Sequence, residues 1–251
     1  MLQHRPHTTV VLAMSVDGKI ADFKRSPARF GSRVDKVHLE KQTAASDAVL
    51  FGAGTLGAYG TTLTVSDPTL VQHRVQGGKP PQPIHIVVTH SANLNPEINF
   101  FKQPVRRWLL TTTAGALSWK GRLQTLPSTA GTPAQECPSK FEQILVFETP
   151  TGEIDIPAAL KHLANIHITR LAVLGGGELV ASLLELDLID ELWLTVCPLI
   201  LGGNTAPTPV EGKGFLADLA PKLQLLEVHT VEQEVFLHYH LQRPAFLDYA
   251  K

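Results

Sequence analysis

The chain has 251 residues, 43% of them hydrophobic and 18% charged, which is an ordinary globular composition that can bury a sizeable core. Its formal net charge of −1 excludes a broad basic surface for nucleic acid or an anionic membrane. The two cysteines, Cys137 and Cys197, are too few for a disulfide framework, and the histidines show no ligand spacing, so no metal is expected. Since the sequence shows neither a signal-peptide pattern nor a membrane-spanning apolar run, we expect a cytoplasmic protein.

Short apolar runs bounded by turn residues predict buried strands, and longer periodic stretches predict helices. The predicted strands are residues 10–13, 47–51, 84–88, 107–111, 144–147, 171–174 and 191–198, followed by an antiparallel pair, 223–228 and 234–241. A helix is predicted over residues 32–45, with Ser32 as N-cap and with Val34, Val37, His38 and Lys41 on one side. A second helix follows residue 177, where Leu179, Val180, Leu183, Leu184 and Leu186 recur at helical spacing.

Strands that alternate with helices indicate a mostly parallel central sheet, and the late strand pair indicates an antiparallel C-terminal edge. Residues 76–83 and 126–140 are predicted loops, and neither is long enough to force a domain boundary. We therefore expect an α/β protein with a single domain over residues 1–251.

A glycine-rich segment, Gly52-Ala53-Gly54-Thr55-Leu56-Gly57, follows the second strand and formally matches the G-x-G-x-x-G fingerprint. A Rossmann unit also needs a helix from the last glycine and an acidic residue after the next strand. Residues 58–62 look like a poor helix, and the next strand ends in Thr89-His90-Ser91 without a carboxylate. The segment is thus either a plain glycine turn or a place where backbone amides approach a phosphate.

Two further segments lie at strand ends, where ligands bind in open α/β sheets. Residues 175–178, Gly-Gly-Gly-Glu, separate a strand from a helix, and the free helix start suits a pyrophosphate unless it is only a tight turn. Thr89, His90 and Ser91 offer groups that suit a phosphate, such as the adenosine 2′-phosphate of NADPH, unless they form only a polar loop.

The first strand is followed by Ser15-Val16-Asp17-Gly18-Lys19-Ile20, which combines a carboxylate, an ammonium group and a glycine turn. These groups could serve a substrate, or they could form an exposed hairpin with a solvated ion pair.

Taken in order, MSVDGKIA, SDAVLFGAGTL, IHIVVTHSANL and LAVLGGGELVASLLELDLIDELWLTVCPLILGG resemble the C-terminal reductase domain of the bifunctional riboflavin-biosynthesis deaminase/reductase, over roughly residues 8–241. The resemblance implies a dihydrofolate-reductase-like three-layer fold and a homodimer, for which the C-terminal strand pair is a plausible contact edge. It also implies NADPH as cofactor and hydride transfer to the ribose C1 of 5-amino-6-(5-phosphoribosylamino)uracil.

The resemblance also assigns roles to residues. Asp17 and Lys19 would act in catalysis and, with Ser32, would face the substrate. Ala13, Gly18 and Ile20 would line the nicotinamide site, and Gly54 and Thr55 would meet the cofactor phosphates. Thr89 and Ser91 would hold the 2′-phosphate, while the pyrophosphate loop, which has a cis Gly-Gly bond in related folds, would comprise Gly175, Gly176, Gly177, Glu178 and Leu179.

Two acidic residues of the family pattern are replaced in this chain. Tyr59 or Gly60 stands where an aspartate is usual, and Leu174 stands where a glutamate often precedes the glycine pair. Both acids would contact the substrate, so two alternatives stay open. The chain could be an NADPH reductase of the same fold with another substrate, or a nucleotide-binding protein without turnover.

Overall fold

The computed structural model of the protein describes residues 4–124 and 140–242. The predicted loop 126–140 lies outside the described residues except for Lys140. The chain forms two compact units: the first runs to Pro6 and includes Glu40–Ala172, and the second comprises His7–Leu39 and the chain from Val173 onward. The single domain expected over residues 1–251 stays a prediction.

The helices and strands alternate along most of the chain. In order they are β1 (His7–Ser15), α1 (Arg33–Ala45), β2 (Ala48–Gly52), α2 (Ala53–Tyr59), α3 (Pro68–Gln76), β3 (Ile84–Val88), a 3₁₀ turn (Asn99–Lys102), β4 (Arg106–Thr111), α4 (Thr113–Gln124), β5 (Gln143–Val146), α5 (Ile156–Asn165), β6 (Arg170–Val173), α6 (Gly177–Glu185), β7 (Glu191–Cys197), β8 (Lys222–Val231) and β9 (Glu234–Gln242). No helix in the described part of the chain is long and apolar enough to cross a membrane.

The first unit is built on strands in the order β5-β4-β3-β2-β6. β2, β3, β4 and β5 pair in parallel, so their carboxyl ends share one edge. Val49, Leu50, Ile86 and Leu109 are fully buried, because helices cover parallel strands on both faces. This explains why these strands were predicted as continuous apolar runs.

Three helices of the first unit, α3, α4 and α5, were not predicted, and two of them, α3 and α5, have a clear start signal. Each starts at an aspartate N-cap: Asp67 accepts a hydrogen bond from the Thr69 amide at 2.8 Å, and Asp155 accepts one from the Ala158 amide at 2.9 Å. A proline follows each cap within two residues. Aspartate followed closely by proline is a recognised helix-start pattern, and it could have located both helices.

The second unit has strands in the order β1-β7-β9-β8. β1 and β7 are parallel, whereas β7–β9 and β8–β9 are antiparallel, with an irregularity between Leu225 and Glu227. The predicted late strand pair is therefore confirmed, and so is the α/β class with an antiparallel C-terminal edge.

Three local expectations were wrong. In α1, Val37 and Lys41 are exposed and Glu40 is buried, because the Glu40 carboxylate accepts hydrogen bonds from Ser66 and Asp67. Residues 53–59 form the helix α2, which ends at Gly60 in the left-handed conformation, rather than a glycine turn. The helix α6 ends at Glu185, so Leu186 lies beyond it and is exposed.

Candidate active site

The turn after β1 is fixed by the carboxylate of Asp17. Oδ1 accepts a hydrogen bond from the Ser15 hydroxyl at 2.6 Å and one from the Leu201 amide at 3.1 Å. Oδ2 accepts one from the Gly202 amide at 2.7 Å. The bond from Ser15, followed by that from Leu201, lowers the pKa of Asp17 to about 2. At neutral pH Asp17 is therefore ionised and has no proton to donate, and it joins this turn to the segment after β7.

Lys19 is held by the same turn. Its amide donates to the Ser15 hydroxyl oxygen at 2.9 Å, and its ammonium group donates to the carbonyl of Ala206 at 3.3 Å. The Ile20 amide donates to the carbonyl of Pro207 at 2.9 Å. The two charged side chains of the motif are thus bonded to backbone groups of the segment after β7, instead of forming the hairpin ion pair that was the alternative.

Ser32 caps α1, as predicted from its position. Its hydroxyl oxygen accepts hydrogen bonds from the amides of Val34 at 3.0 Å and Asp35 at 3.2 Å. Its hydroxyl proton is donated to Oε2 of Glu234 at 2.5 Å. A hydroxyl has one proton and two lone pairs, so all of the hydrogen-bonding capacity of Ser32 is used within the protein.

A group of polar residues at the same end of β7 was missed by the sequence analysis. The Asp35 carboxyl hydrogen-bonds the Thr195 hydroxyl, and Thr195 lies opposite Ala13 in the β1–β7 register. A Cβ atom at Gly31 would lie 2.3 Å from Oδ2 of Asp35, so the close approach of α1 needs glycine there. Glu234, the first residue of β9, is 3% exposed.

Burial is the main cause of the shifted pKa values of Asp35 and Cys197. It raises the pKa of Asp35, the bond from Thr195 opposes the rise, and the charge of Glu234 adds to it. Burial, with the charges of Glu234 and Asp35, raises the pKa of the Cys197 thiol to about 12. Cys197 therefore stays protonated and unreactive. No single stretch of sequence shows this group, because α1, β7 and β9 each supply part of it.

The glycine loop before α6 leads into the start of that helix. Gly175 and Gly176 have φ values of 129° and 87°, which side-chain-bearing residues rarely adopt. The N-cap residue Gly176 makes no side-chain capping bond, but the segment 208–211 packs against the helix start, since a Cβ atom at Gly177 would lie 2.4 Å from the carbonyl oxygen of Thr208 and 3.0 Å from Oε2 of Glu211. All peptide bonds in the described residues are trans, so the implied cis Gly-Gly bond is absent there.

In the first unit, Gly54 and Thr55 lie in the first turn of α2, which also has no side-chain cap. A Cβ atom at Gly54 would meet no atom within 4 Å, so packing within the protein does not require glycine at this position.

The segment after β3 is a compact turn. The Thr89 hydroxyl oxygen accepts a hydrogen bond from the Ala92 amide at 3.2 Å, and the Ser91 hydroxyl oxygen accepts one from Asn93 at 3.4 Å. Thr89 is 9% exposed, and Ser91 is exposed. In the first unit, Gly54 and Thr55 thus follow β2, and Thr89 and Ser91 follow β3, at the carboxyl ends of these parallel strands. Within the described residues no group of histidine, cysteine, aspartate and glutamate could hold a metal ion.

Comparison with known proteins identifies the family. The RibD C-terminal domain family matches residues 6–237. The 2,5-diamino-6-ribosylamino-4(3H)-pyrimidinone 5′-phosphate reductase of Archaeoglobus fulgidus is 31% identical over 214 residues, which cover 84% of this chain and 89% of that protein.

Two solved structures share the fold. A pyrimidine reductase-like protein from Corynebacterium diphtheriae superposes with a TM-score of 0.76 at 18% identity, covering 95% of this chain and 92% of the other. A deaminase/5-amino-6-(5-phosphoribosylamino)uracil reductase from Thermotoga maritima superposes with a TM-score of 0.69 at 18% identity, covering 95% of this chain and 57% of the other. These likenesses confirm that the chain has the expected α/β fold of the pyrimidine reductases. Because the family spans nearly the whole chain, the protein belongs to the RibD C-terminal domain family and is a reductase of riboflavin biosynthesis.

Proposed function

We propose that this reductase transfers a hydride from NADPH to the ribose C1 of a 6-ribosylaminopyrimidine 5′-phosphate. The observation that carries the proposal is the family match over residues 6–237, together with the positive-φ glycine loop before α6 and the fixed turn at Asp17. Bound NADPH supplies the hydride, and the protein supplies alignment and charge complementarity.

Backbone amides would hold the cofactor. The resemblance assigns the pyrophosphate to Gly175, Gly176 and Gly177 and to the first amides of α6 at Glu178 and Leu179, and a helix start suits such an anion. The open space beside Gly54 leaves room for a ligand next to the backbone there and at Thr55. Thr89 and Ser91 would meet the 2′-phosphate, while Ala13, Gly18 and Ile20 would line the nicotinamide.

The substrate roles differ among the three predicted residues. The Lys19 ammonium group keeps donors beyond its bond to Ala206 and would pair with the substrate phosphate. Asp17 would act by positioning the turn that carries Lys19, since its carboxylate accepts hydrogen bonds from Ser15 and from the backbone after β7. Ser32 would act in the same indirect way, by fixing the start of α1.

Two pyrimidines are candidates for the substrate. The Archaeoglobus relative, which this chain matches over nearly its full length, is named for the 2,5-diamino compound. The Thermotoga protein is named for the aminouracil expected from the sequence. The two compounds differ in the amino or oxo group at ring position 2, and we favour the diamino compound because of the 31% identity.

The experiment is a titration followed by an assay. Purified protein is titrated with NADPH and NADH, and oxidation of the bound nucleotide is then followed at 340 nm with each pyrimidine. We expect binding, and turnover with a higher kcat/KM for the diamino compound. Binding without turnover of either compound would instead favour another substrate or a non-catalytic protein, and no binding would contradict the proposal.

We also propose that the protein is a homodimer that uses β8. Among the strands that the structure describes, β8 has a neighbour only on its β9 side, and Leu223, Leu225, Leu226 and Val228 are 43–51% exposed. An apolar strand at a sheet edge tends to pair with a second copy. Light scattering should give about twice the chain mass of 27.3 kDa, and a mass near 27.3 kDa would contradict the dimer.

A further inference from the structure

Two carboxyl groups of the second unit, those of Asp35 and Glu234, lie close together near the carboxyl end of β7. Asp35 lies in the first turn of α1, where its amide donates to the Ser32 hydroxyl oxygen at 3.2 Å. Glu234 bonds the same serine, since its carboxylate oxygens accept the Ser32 amide at 2.8 Å and the Ser32 hydroxyl at 2.5 Å. Neighbouring carboxyl groups repel each other when both are charged, so the surrounding donors decide which of them more easily keeps a proton.

The hydrogen-bond donors around the two groups favour the negative charge on Glu234. Besides the Ser32 amide and hydroxyl, the Cys197 thiol donates to its carboxylate. The hydrogen bond that acts on the Asp35 carboxyl comes from the Thr195 hydroxyl. Burial raises the pKa of Asp35, and the charge of Glu234 adds to the rise. The Cys197 thiol, whose pKa is raised to about 12, stays protonated beside them. Asp35 is thus the group that can hold and release a proton.

Asp35 lies between residues that the proposed function gives to the two reactants. Its partner Thr195 lies opposite Ala13, which would line the nicotinamide, in the parallel β1–β7 pair. Its amide bonds Ser32, which the resemblance assigns to the substrate side. Gly31 leaves room for the carboxyl group, since a Cβ atom there would collide with Oδ2 of Asp35. Ligands bind beyond the carboxyl ends of parallel strands, and Asp35 is only half-buried at that end.

We propose that the Asp35 carboxyl group is the general acid of the reduction, and that it protonates the nitrogen bonded to the ribose C1. Glu234 would hold the neighbouring negative charge and, through Ser32, fix the helix start that carries Asp35. This inference rests on the proposed function, since it assumes that the hydride is transferred to C1 at this end of β1 and β7.

The proton balance of the reaction requires such a group. When the hydride adds to C1 of the ring-opened imine, the C1–N double bond becomes a single bond and its electron pair moves to the nitrogen. The nitrogen takes the proton of Asp35, and the Asp35 carboxylate is then protonated again from water. C1 is reduced and the nicotinamide is oxidised, so each turnover consumes one hydride and one proton.

The test is the pH dependence of turnover in the wild type and in Asp35→Asn, between about pH 5 and 8. Asparagine keeps the size of the side chain and an acceptor for the Thr195 hydroxyl, but it has no acidic proton. The wild-type kcat/KM should rise as the pH falls toward the raised pKa of Asp35. Asp35→Asn should lower kcat about 100-fold and lose this rise, while its nucleotide affinity stays within about twofold of the wild type. The matched control is Asp218→Asn, since Asp218 is an exposed aspartate between β7 and β8, and its kcat should stay within about twofold of the wild type with the same pH dependence.

A second variant guards against a disturbed start of α1. Thr195→Val removes the hydroxyl whose bond lowers the pKa of Asp35 and keeps the shape of the side chain. The pH dependence of its kcat/KM should move to higher pH, a shift that a structural role of Asp35 would not produce. A kcat of Asp35→Asn within about threefold of the wild type, a retained rise at low pH, or an unshifted profile in T195V would each overturn the inference. Absence of nucleotide binding or of turnover in the wild type would instead contradict the proposed function.

Discussion

Two carboxyl groups of the second unit, Asp17 and Asp35, have opposite environments. Asp17 lies in an exposed turn and accepts hydrogen bonds from a hydroxyl and two backbone amides, and its pKa falls to about 2. Asp35 lies at the start of α1, where its carboxyl group hydrogen-bonds the Thr195 hydroxyl. Burial and the nearby charge of Glu234 raise its pKa. Hydrogen bonding thus decides the first pKa and desolvation the second.

Because their pKa values are shifted in opposite directions, the two carboxyl groups contribute to the structure in different ways. Asp17 contributes as a permanent anion that joins two segments of backbone. Asp35 is the more easily protonated of the two, and it adjoins Thr195, which lies opposite Ala13.

The largest effect should come from Asp17→Asn. The amide cannot accept all three hydrogen bonds with the same charge, so the turn and the segment after β7 should lose their alignment. We expect kcat/KM to fall about 100-fold, with nicotinamide turnover as the measurement. Asp22→Asn is the matched control, because the Asp22 carboxylate also accepts hydrogen bonds from two backbone amides, and equal losses in both variants would contradict a specific role for Asp17.

Next in size is Glu234→Ala, which removes the partner of the Ser32 amide and hydroxyl. Leaving these donors unsatisfied in a buried place should lower the free energy of unfolding by about 2–3 kcal/mol. Urea denaturation measures the change. Glu234→Gln keeps an acceptor and should lose less than half as much, and a loss as large as that of the alanine variant would show that charge, rather than hydrogen bonding, matters.

The smallest expected effect is a difference between Asp17→Asn and Asp35→Asn in how the free energy of unfolding depends on pH. The pKa of Asp17 is lowered from 3.8 to about 2, so its stabilising contribution is present above pH 3.8 and is lost as the pH falls toward 2. The pKa of Asp35 is raised above 3.8, so the folded state is weakened as the pH rises from 3.8 through the folded value.

Denaturant unfolding between pH 2 and 6 should therefore give slopes of opposite sign. The difference in unfolding free energy between wild type and Asp17→Asn should grow with pH below 3.8, and that between wild type and Asp35→Asn should shrink with pH above 3.8. Two slopes of the same sign would show that the two environments are not opposite.

Most strands could be predicted because each is a short apolar run with turn residues at its ends, as with Ile84–Val88. The helices α3 and α5 were missed although Asp67 and Asp155 cap them, so the local pattern was present and went unused. The face of α1 was wrong for another reason: Glu40 is buried only because Ser66 and Asp67 bond it, and those partners are distant in sequence.

The sequence by itself determined the fold class, the family and the positions of the glycine and hydroxyl segments, because each of these depends on local apolar pattern and short motifs. Only the tertiary structure decided the bonding of Asp17, the saturation of the Ser32 hydroxyl and the grouping of Asp35 with Glu234. The physical reason is that hydrogen-bond partners and burial come from segments far apart in the chain, which folding alone brings into contact.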